Sequence, residues 1–177
     1  MQIPGLGPVL VDDVGWYQSE PVPVPVLGGE RCRIAVEGYD DDPAPEDFHA
    51  AIRTFLALDR SALTAATPSI FAYYRDVTDD IVAAGDDDWY VEIEGPHDVL
   101  DHIQFGDNPI VSRDSYGDRH VYVSLVCECD WEVEHGLQIV FRDGRTVTKV
   151  GPCDGHLTNA AAYADDSLDG VVYCPSR

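Results

Sequence analysis

Lysine is almost absent from this chain of 177 residues, and basic residues are few altogether. Lys and Arg number 11 against 33 Asp and Glu, the formal net charge is −22 at pH 7, and Lys149 is the only lysine. Such a chain repels phosphate backbones, so we expect no direct nucleic-acid binding. It would attract basic partners instead. An acidic surface suited to a salty cytoplasm is the other explanation of this composition.

Long apolar runs and export signals are also missing. No stretch approaches the roughly 18 apolar residues that a membrane span needs, and the start, MQIPGLGPVL, has no basic residue before its apolar part. We therefore expect a cytoplasmic protein that does not enter a membrane. The length suits a single domain over residues 1–177, with N-terminal strands at 1–37, a helical block at 45–85 and a β-rich part at 89–177.

No recognised catalytic motif is present. The sequence lacks both a phosphate-binding glycine loop and a nucleophile elbow. Cys129, His135 and Asp154 could form a nucleophilic set, but a cysteine that faces a core is usually inert. The acidic runs at 40–42 and 86–88 do not follow the spacing of a calcium loop. These absences favour a protein that is not an enzyme and leave an enzymatic role open.

The hydrophobic pattern predicts an α+β fold, an antiparallel β-sheet or meander with two to four helices packed on one face. One helix begins at Pro45, with an apolar stripe that includes Phe48, Ile52 and Phe55. Ser61 caps a second, short helix, and Thr67 and Pro68 begin a third that ends at Gly85. Two strands are expected within residues 4–19, around a turn at Asp12–Gly15, and further strands at residues 31–37, 89–94, 120–129, 135–141, 145–150 and 171–174. The segment EPVPVPVLGG is expected to be an edge strand or an extended polyproline-like segment.

The segment CECDWEVEHG, residues 127–136, carries the densest chemistry. If its two strands pair around a loop centred on Glu132, Cys129 faces His135 and Cys127 faces Leu137. The next strand follows a turn at Asp143 and Gly144, the strongest hairpin signal in the chain, and brings GPCDGH to the same end. The side chains gathered there would be those of Cys127, Cys129, His135, Cys153 and His156.

Two interpretations of these residues stay open. The chain has five cysteines and no export signal, so free thiols or metal ligands are expected instead of a disulfide framework. Zinc binds four nitrogen or sulfur ligands, and the set would be Cys127, Cys129, His135 and His156, with Cys153 as a possible further ligand. The alternative is structural, because buried cysteine packs as a small hydrophobic residue. No cofactor other than zinc is indicated.

An acidic and aromatic segment follows the helical block. Asp86, Asp87 and Asp88 precede Trp89 and Tyr90, and we expect these five residues to contact a partner. Together with the net charge, they favour a non-enzymatic, acidic protein-binding module whose partner is a basic protein. The zinc-binding protein is the second functional hypothesis, and the sequence does not indicate an oligomeric state.

Several motifs together resemble one family over nearly the whole chain. They include PGLG, GWY, EDFHAAI, IQFG, EHGLQIVF and DGHLTN, of which the last two are the most specific. The family is an uncharacterised bacterial one of small acidic cytosolic proteins, among the domains of unknown function. The resemblance implies one bacterial domain and no established activity, and its pattern does not require Cys153. Some small acidic families of this kind resemble immunity proteins, which implies an immunity-like role toward a basic partner.

Overall fold

Two helices pack on one face of a large mixed β-sheet in the computed structural model, which describes residues 1–85, 90–115 and 117–175. The helices are α1 (Pro45–Leu56), α2 (Ser61–Ala84) and the short α3 (Asn159–Tyr163), with 3-10 turns at Pro25–Leu27, Val99–His102 and Asp166–Leu168. The strands are β1 (Gln2–Ile3), β2 (Gly7–Val11), β3 (Tyr17–Ser19), β4 (Val22–Val24), β5 (Glu30–Cys32), β6 (Ala35–Val36), β7 (Ile103–Phe105), β8 (Ile110–Arg113), β9 (Val121–Cys129), β10 (Glu132–Arg142) and β11 (Thr146–Gly151).

The strand order confirms the α+β class and corrects one detail of it. The main sheet runs β1-β2-β3-β6-β8-β9-β10-β11, with β7 also paired to β9, while β4 and β5 form a separate pair. The sheet is not wholly antiparallel, because β6 and β8 run parallel. Parallel neighbours need a long crossover connection, and residues 37–109, which include α1 and α2, supply it.

The helical block contains one long helix where the sequence predicted two. That prediction was wrong because α2 continues through Pro68. Pro68 has no N–H to donate to the carbonyl of Thr64 four residues earlier, and the hydroxyl of Thr67 donates to that carbonyl instead, at 2.9 Å. At the start of α2, the Asp59 carboxylate accepts from the backbone of Ser61, so Ser61 is not the capping residue. Gly85 ends the helix in a left-handed conformation, as predicted.

Strand predictions succeeded where the alternation is long. The three C-terminal strands are present, and the pairs Leu137 with Cys127, Ile139 with Leu125 and Phe141 with Val123 match the predicted register. The predicted strand at residues 31–37 is divided between β5 and β6. β7 and β8 were not predicted, since each has only three or four residues.

Two predicted strands are not strands. In the described part of the segment 89–94, residues 90–94 form no ladder, because the Tyr74 hydroxyl on α2 donates to the carbonyl of Val91 and accepts from the N–H of Ile93. Residues 171–174 also form no strand, and the N–H of Val150 donates to the carbonyl of Val172 there.

The two faces of the sheet are covered differently. On the helix side, Phe55 of α1 packs its ring against Phe141 of β10, with 5.5 Å between the centroids. On the other side, Ser124, Val140 and Lys149 are buried, and Lys149 bonds to residues of the segment that follows β11. Within the described ranges, none of the helices has both the length and the apolarity that crossing a bilayer demands.

The turn between β10 and β11 fixes the hairpin against α1. Asp143 and Gly144 both have positive φ, at 52° and 63°, which is the type I′ geometry that an Asp-Gly pair favours. A Cβ on Gly144 would lie 2.1 Å from the carbonyl oxygen of Ala51 in α1. Glycine is therefore required here by the close approach of the helix as well as by the backbone angle.

Replacing Gly144 with alanine should lower the free energy of unfolding by about 3 kcal/mol, since it adds both left-handed strain and a collision with α1. Gly38→Ala is the matched control: its φ is +70°, but no atom lies within 4 Å of the added Cβ, so a loss of only about 1 kcal/mol is expected. Urea denaturation measures both. Equal losses in the two variants would contradict the close approach of α1.

Candidate functional site

The end of the β9–β10 hairpin departs from its predicted register. The regular pairing ends at Leu137, and Glu132, not His135, pairs with Cys129. The cause is Gly136, whose φ of +62° turns the chain out of the ladder. A Cβ at this position would lie 2.5 Å from the carbonyl oxygen of Cys127, so only glycine fits. The predicted pairing of Cys129 with His135 was therefore wrong.

Aromatic packing ties this end of the hairpin to α2. Trp131, which is buried, lies edge-on to the rings of Tyr73 and Tyr74, with centroids 6.3 and 5.8 Å away. The Tyr73 hydroxyl also donates to the carbonyl of Gly136 at 3.0 Å. The hairpin end is thus a fixed part of the structure, although it carries many charges.

The predicted zinc ligands divide into a buried and an exposed set. Cys127 and Cys129 are buried, whereas the side chains of His135 and His156 are 56% and 47% exposed and lie beside carboxylates of Glu132 and Asp154. The backbone of Cys153 donates to the carbonyl of His135, so the turn after β11 does reach this end, as expected. Among the described residues, no three His, Cys, Asp or Glu side chains are grouped to hold a metal ion. The zinc site stays a prediction.

The two core cysteines are poor candidates for thiolate chemistry. Burial raises the pKa of Cys127 and that of Cys129 to about 12, against weaker opposing hydrogen bonds from the backbone. At neutral pH both are protonated thiols. Their environment fits the structural interpretation, in which cysteine fills the core.

The only lysine is buried beneath the turn that follows β11. Lys149 is 1% exposed, and its ammonium donates to Gln138 Oε1 at 2.9 Å, to the carbonyl of His156 at 3.0 Å and to the Asp154 carboxylate. Gln138 in turn donates to Ser124 Oγ. All three ammonium donors are satisfied, and burial lowers the pKa of Lys149 while the hydrogen bond and charge of Asp154 oppose that change. This network holds the turn on the sheet.

A large groove lies beside the hairpin end. It has a volume of about 930 Å³ and runs between the β7–β8 loop and the residues around the Gly136 break. Its apolar part includes Val126 and Val133, which are 40% and 72% exposed. Five carboxylates surround that apolar part: Asp107, Glu128, Asp130, Glu132 and Glu134.

A second groove, of about 610 Å³, shares Glu132 and His135 with the first and runs along α2. The apolar floor of this groove consists of Val77, Ile81 and Ala84 of α2 together with Pro152. Its rim adds the carboxylates of Asp80 and Asp154 to those of the first groove. We call the residues of both grooves the acidic end. Among the described residues, neither groove is lined by Lys or Arg. The second groove is lined by Tyr73, Val77, Asp80, Ile81, Ala84, Glu132, His135, Pro152 and Asp154.

Arginines gather at the opposite end of the hairpin. A smaller cleft there is lined by Arg113, Arg119, Arg145 and His120. Arg113 is neutralised by Asp42 and Asp47, at 2.6 and 2.9 Å. The nine residues of β9 separate the two ends by roughly 27 Å, at about 3.4 Å per residue. This distance exceeds the Debye length of about 8 Å at physiological salt, so the arginines do not neutralise the acidic end.

The predicted partner contacts lie next to the second groove in the sequence. Ala84 lines that groove, and Gly85 then leads into the segment of interest. Asp86, Asp87, Asp88 and Trp89 lie outside the described residues, and Tyr90 is 47% exposed. Sequence reasoning missed Asp80, Asp107 and Asp154 as members of one surface, because they come from three separate parts of the chain and no local pattern links them.

Thiol labelling separates the two interpretations of the cysteines. In the folded protein a maleimide should modify Cys153 and Cys174, which are partly exposed, and not Cys32, Cys127 or Cys129, which are buried. Intact-mass analysis before and after a chelator should give the same two modifications. If the chelator opens Cys127 and Cys129 to the reagent, the thiols are metal ligands and the structural interpretation is contradicted.

Lys149→Met should lower the free energy of unfolding by about 2 kcal/mol, because a partly exposed Asp154 is left without its cation.

The folded pKa of Lys149 is lower than its unfolded pKa, so the folded chain binds fewer protons between those two values. The contribution of Lys149 to stability therefore increases as pH rises toward 10.5. The stability difference between wild type and variant should grow over that window; a constant difference would contradict the burial of a charged lysine.

Comparison with known proteins places the chain in a family. No curated protein matches it significantly, and no solved structure does. One family profile, described as "Domain of unknown function (DUF6985)", matches residues 5–157. The match contains α1, α2, every strand after β1, the hairpin end and the turn that Lys149 holds. It covers most of the chain and confirms the expected kind of family, so the chain belongs to the domain of unknown function DUF6985.

Proposed function

We propose that this protein is a non-enzymatic binding module that holds a basic segment of a partner protein at its acidic end. The observation that carries the proposal is the pair of grooves that meet at Glu132 and His135, with apolar floors and carboxylate rims. Lys and Arg side chains bury their aliphatic stems on apolar surface and keep their charged heads at a polar rim. The two grooves have this combination over a continuous surface.

The charge distribution supports the same partner chemistry. A net charge of −22 accelerates the encounter with a basic protein and disfavours nucleic acid. Asp130 and Asp154 are partly neutralised by His102 and Lys149, whereas Glu128 and Glu134 are exposed on the rim. We therefore assign most of the attraction to Glu128, Glu134 and Asp80, because Glu132 lies beside His135 and accepts two backbone hydrogen bonds.

An immunity-like role is the narrower form of this proposal. In it, the basic partner is a toxin, and binding at the acidic end blocks the toxin surface that would contact an anionic substrate. Its support is an analogy at the level of the class, since some small acidic families of unknown function resemble immunity proteins, together with the concentration of carboxylates at one end of the molecule.

The test is the affinity of a short peptide of alternating lysine and leucine, measured by isothermal titration calorimetry. Glu128→Gln/Glu134→Gln should weaken binding about tenfold, since each exposed ion pair contributes somewhat less than 1 kcal/mol. The affinity should also fall as salt is raised.

Asp13→Asn/Glu20→Gln is the matched control. It removes the same charge from exposed positions at the ends of β2 and β3, and β3 lies four strands away from β10 in the sheet. This variant should bind within about twofold of wild type. Equal weakening by both variants would mean that the peptide responds only to net charge and would overturn the assignment of the site.

A further inference from the structure

The last described residues of the chain lie beside the second groove, here called the α2 groove because it runs along that helix. Residues 170–175, here called the strap, follow α3 and the 3-10 turn and form no regular element. They lie beyond residue 157, where the family match ends. Tyr173 of the strap packs against Tyr73, at 5.9 Å between centroids, and Tyr73 also lines the α2 groove. The strap therefore contacts the acidic end at Tyr73.

Few contacts hold the strap. The Tyr173 hydroxyl donates to the Asp76 carboxylate of α2 at 2.6 Å, and Val172 accepts from the N–H of Val150 at 2.7 Å. The Asn159 side chain donates to the carbonyls of Val171 and Val172, which closes the loop behind the strap. Of residues 158–175, only Asn159 is buried. Segments with so little buried surface open locally at lower cost than the whole protein unfolds.

Detachment would uncover groups that can bind an extended chain. Val150 lies on β11, the end strand of the sheet, and its N–H would become a free donor for a backbone carbonyl. Asp76 would lose its phenol donor and become available to a cation, next to the ring of Tyr73. Strand addition at a sheet edge combined with side-chain pockets is a common way to bind peptides.

We propose that the strap is an autoinhibitory segment that covers Tyr73 at one end of the α2 groove, the neighbouring Asp76 and the edge of β11. This inference rests on the proposed function, because it assigns the same basic partner to the α2 groove as extended by detachment of the strap. A partner segment that replaces the strap has an extended backbone, an apolar side chain at the place of Tyr173 and a basic residue close to Asp76.

Amide hydrogen exchange of the full chain tests the strap without any ligand. Tyr173→Phe keeps the ring and removes the hydrogen bond to Asp76, so exchange at Val150 should become about fivefold faster, the effect of one hydrogen bond. Exchange at Leu125 and Ile139, in the centre of the sheet, should not change. Asp76→Leu removes the acceptor on the α2 side and should accelerate exchange at Val150 in the same way.

Tyr17→Phe is the matched control, because Tyr17 also donates to an aspartate, Asp40, at 2.6 Å and lies far from the strap in the sheet. It should leave Val150 unchanged. Exchange at Val150 that stays at the wild-type rate in Tyr173→Phe, or that rises only together with Leu125 and Ile139, would overturn local detachment of the strap.

The lysine-leucine peptide then tests autoinhibition. Tyr173→Phe should bind it about threefold to fivefold more tightly than wild type, and Tyr17→Phe should not. Faster exchange at Val150 with unchanged affinity would overturn the autoinhibitory role. A wild-type protein that does not bind the peptide would contradict the proposed function, while the exchange result would still decide whether the strap opens.

Discussion

The hairpin of β9 and β10 keeps its apolar residues in the core only while the two strands stay in register, and Gly136 ends that register at one defined point. Up to Leu137, each inward residue faces another core residue across the ladder. On the loop side of Gly136, the side chains of Val133, Glu134 and His135 are exposed, whereas Trp131 is buried in the core. The left-handed backbone angle of Gly136 causes this change. One backbone angle therefore separates the structural part of the hairpin from the part that faces solvent, and the grooves form around that break.

Charge is distributed around the same hairpin. The arginine end is internally neutralised, since Arg113 and Arg142 pair with aspartates there. The ammonium of the buried Lys149 pairs with Asp154 and bonds to the turn after β11. The remaining carboxylates at the acidic end have no Lys or Arg among the described residues that line the two grooves. The excess negative charge of the chain is thus exposed beside apolar surface, which is the combination that suits lysine and arginine side chains.

The sequence predicts those parts of the fold whose cause is local. Alternation over many residues identified β9, β10 and β11, and the Asp143-Gly144 pair identified the turn that joins the last two. The continuity of α2 could not be predicted, because the sequence does not show that the Thr67 hydroxyl bonds to the carbonyl that Pro68 leaves without a backbone donor. The break at Gly136 was missed because a glycine within a strand pattern can adopt either the extended conformation of the strand or a left-handed one. The hairpin end was identified as chemically important, but the grooves also need Asp80 and Asp107, which tertiary structure alone brings there.

The most direct test of binding at the acidic end is a titration of the isotopically labelled protein with the lysine-leucine peptide, followed by NMR chemical shifts of the backbone amides. The expected result is that the largest shifts fall on Glu128, Glu132, Glu134 and His135 and on the α2 residues near Ile81, with the β2–β3 hairpin unaffected. Shifts spread evenly over exposed acidic residues, or concentrated away from the Gly136 break, would contradict a binding site at the acidic end.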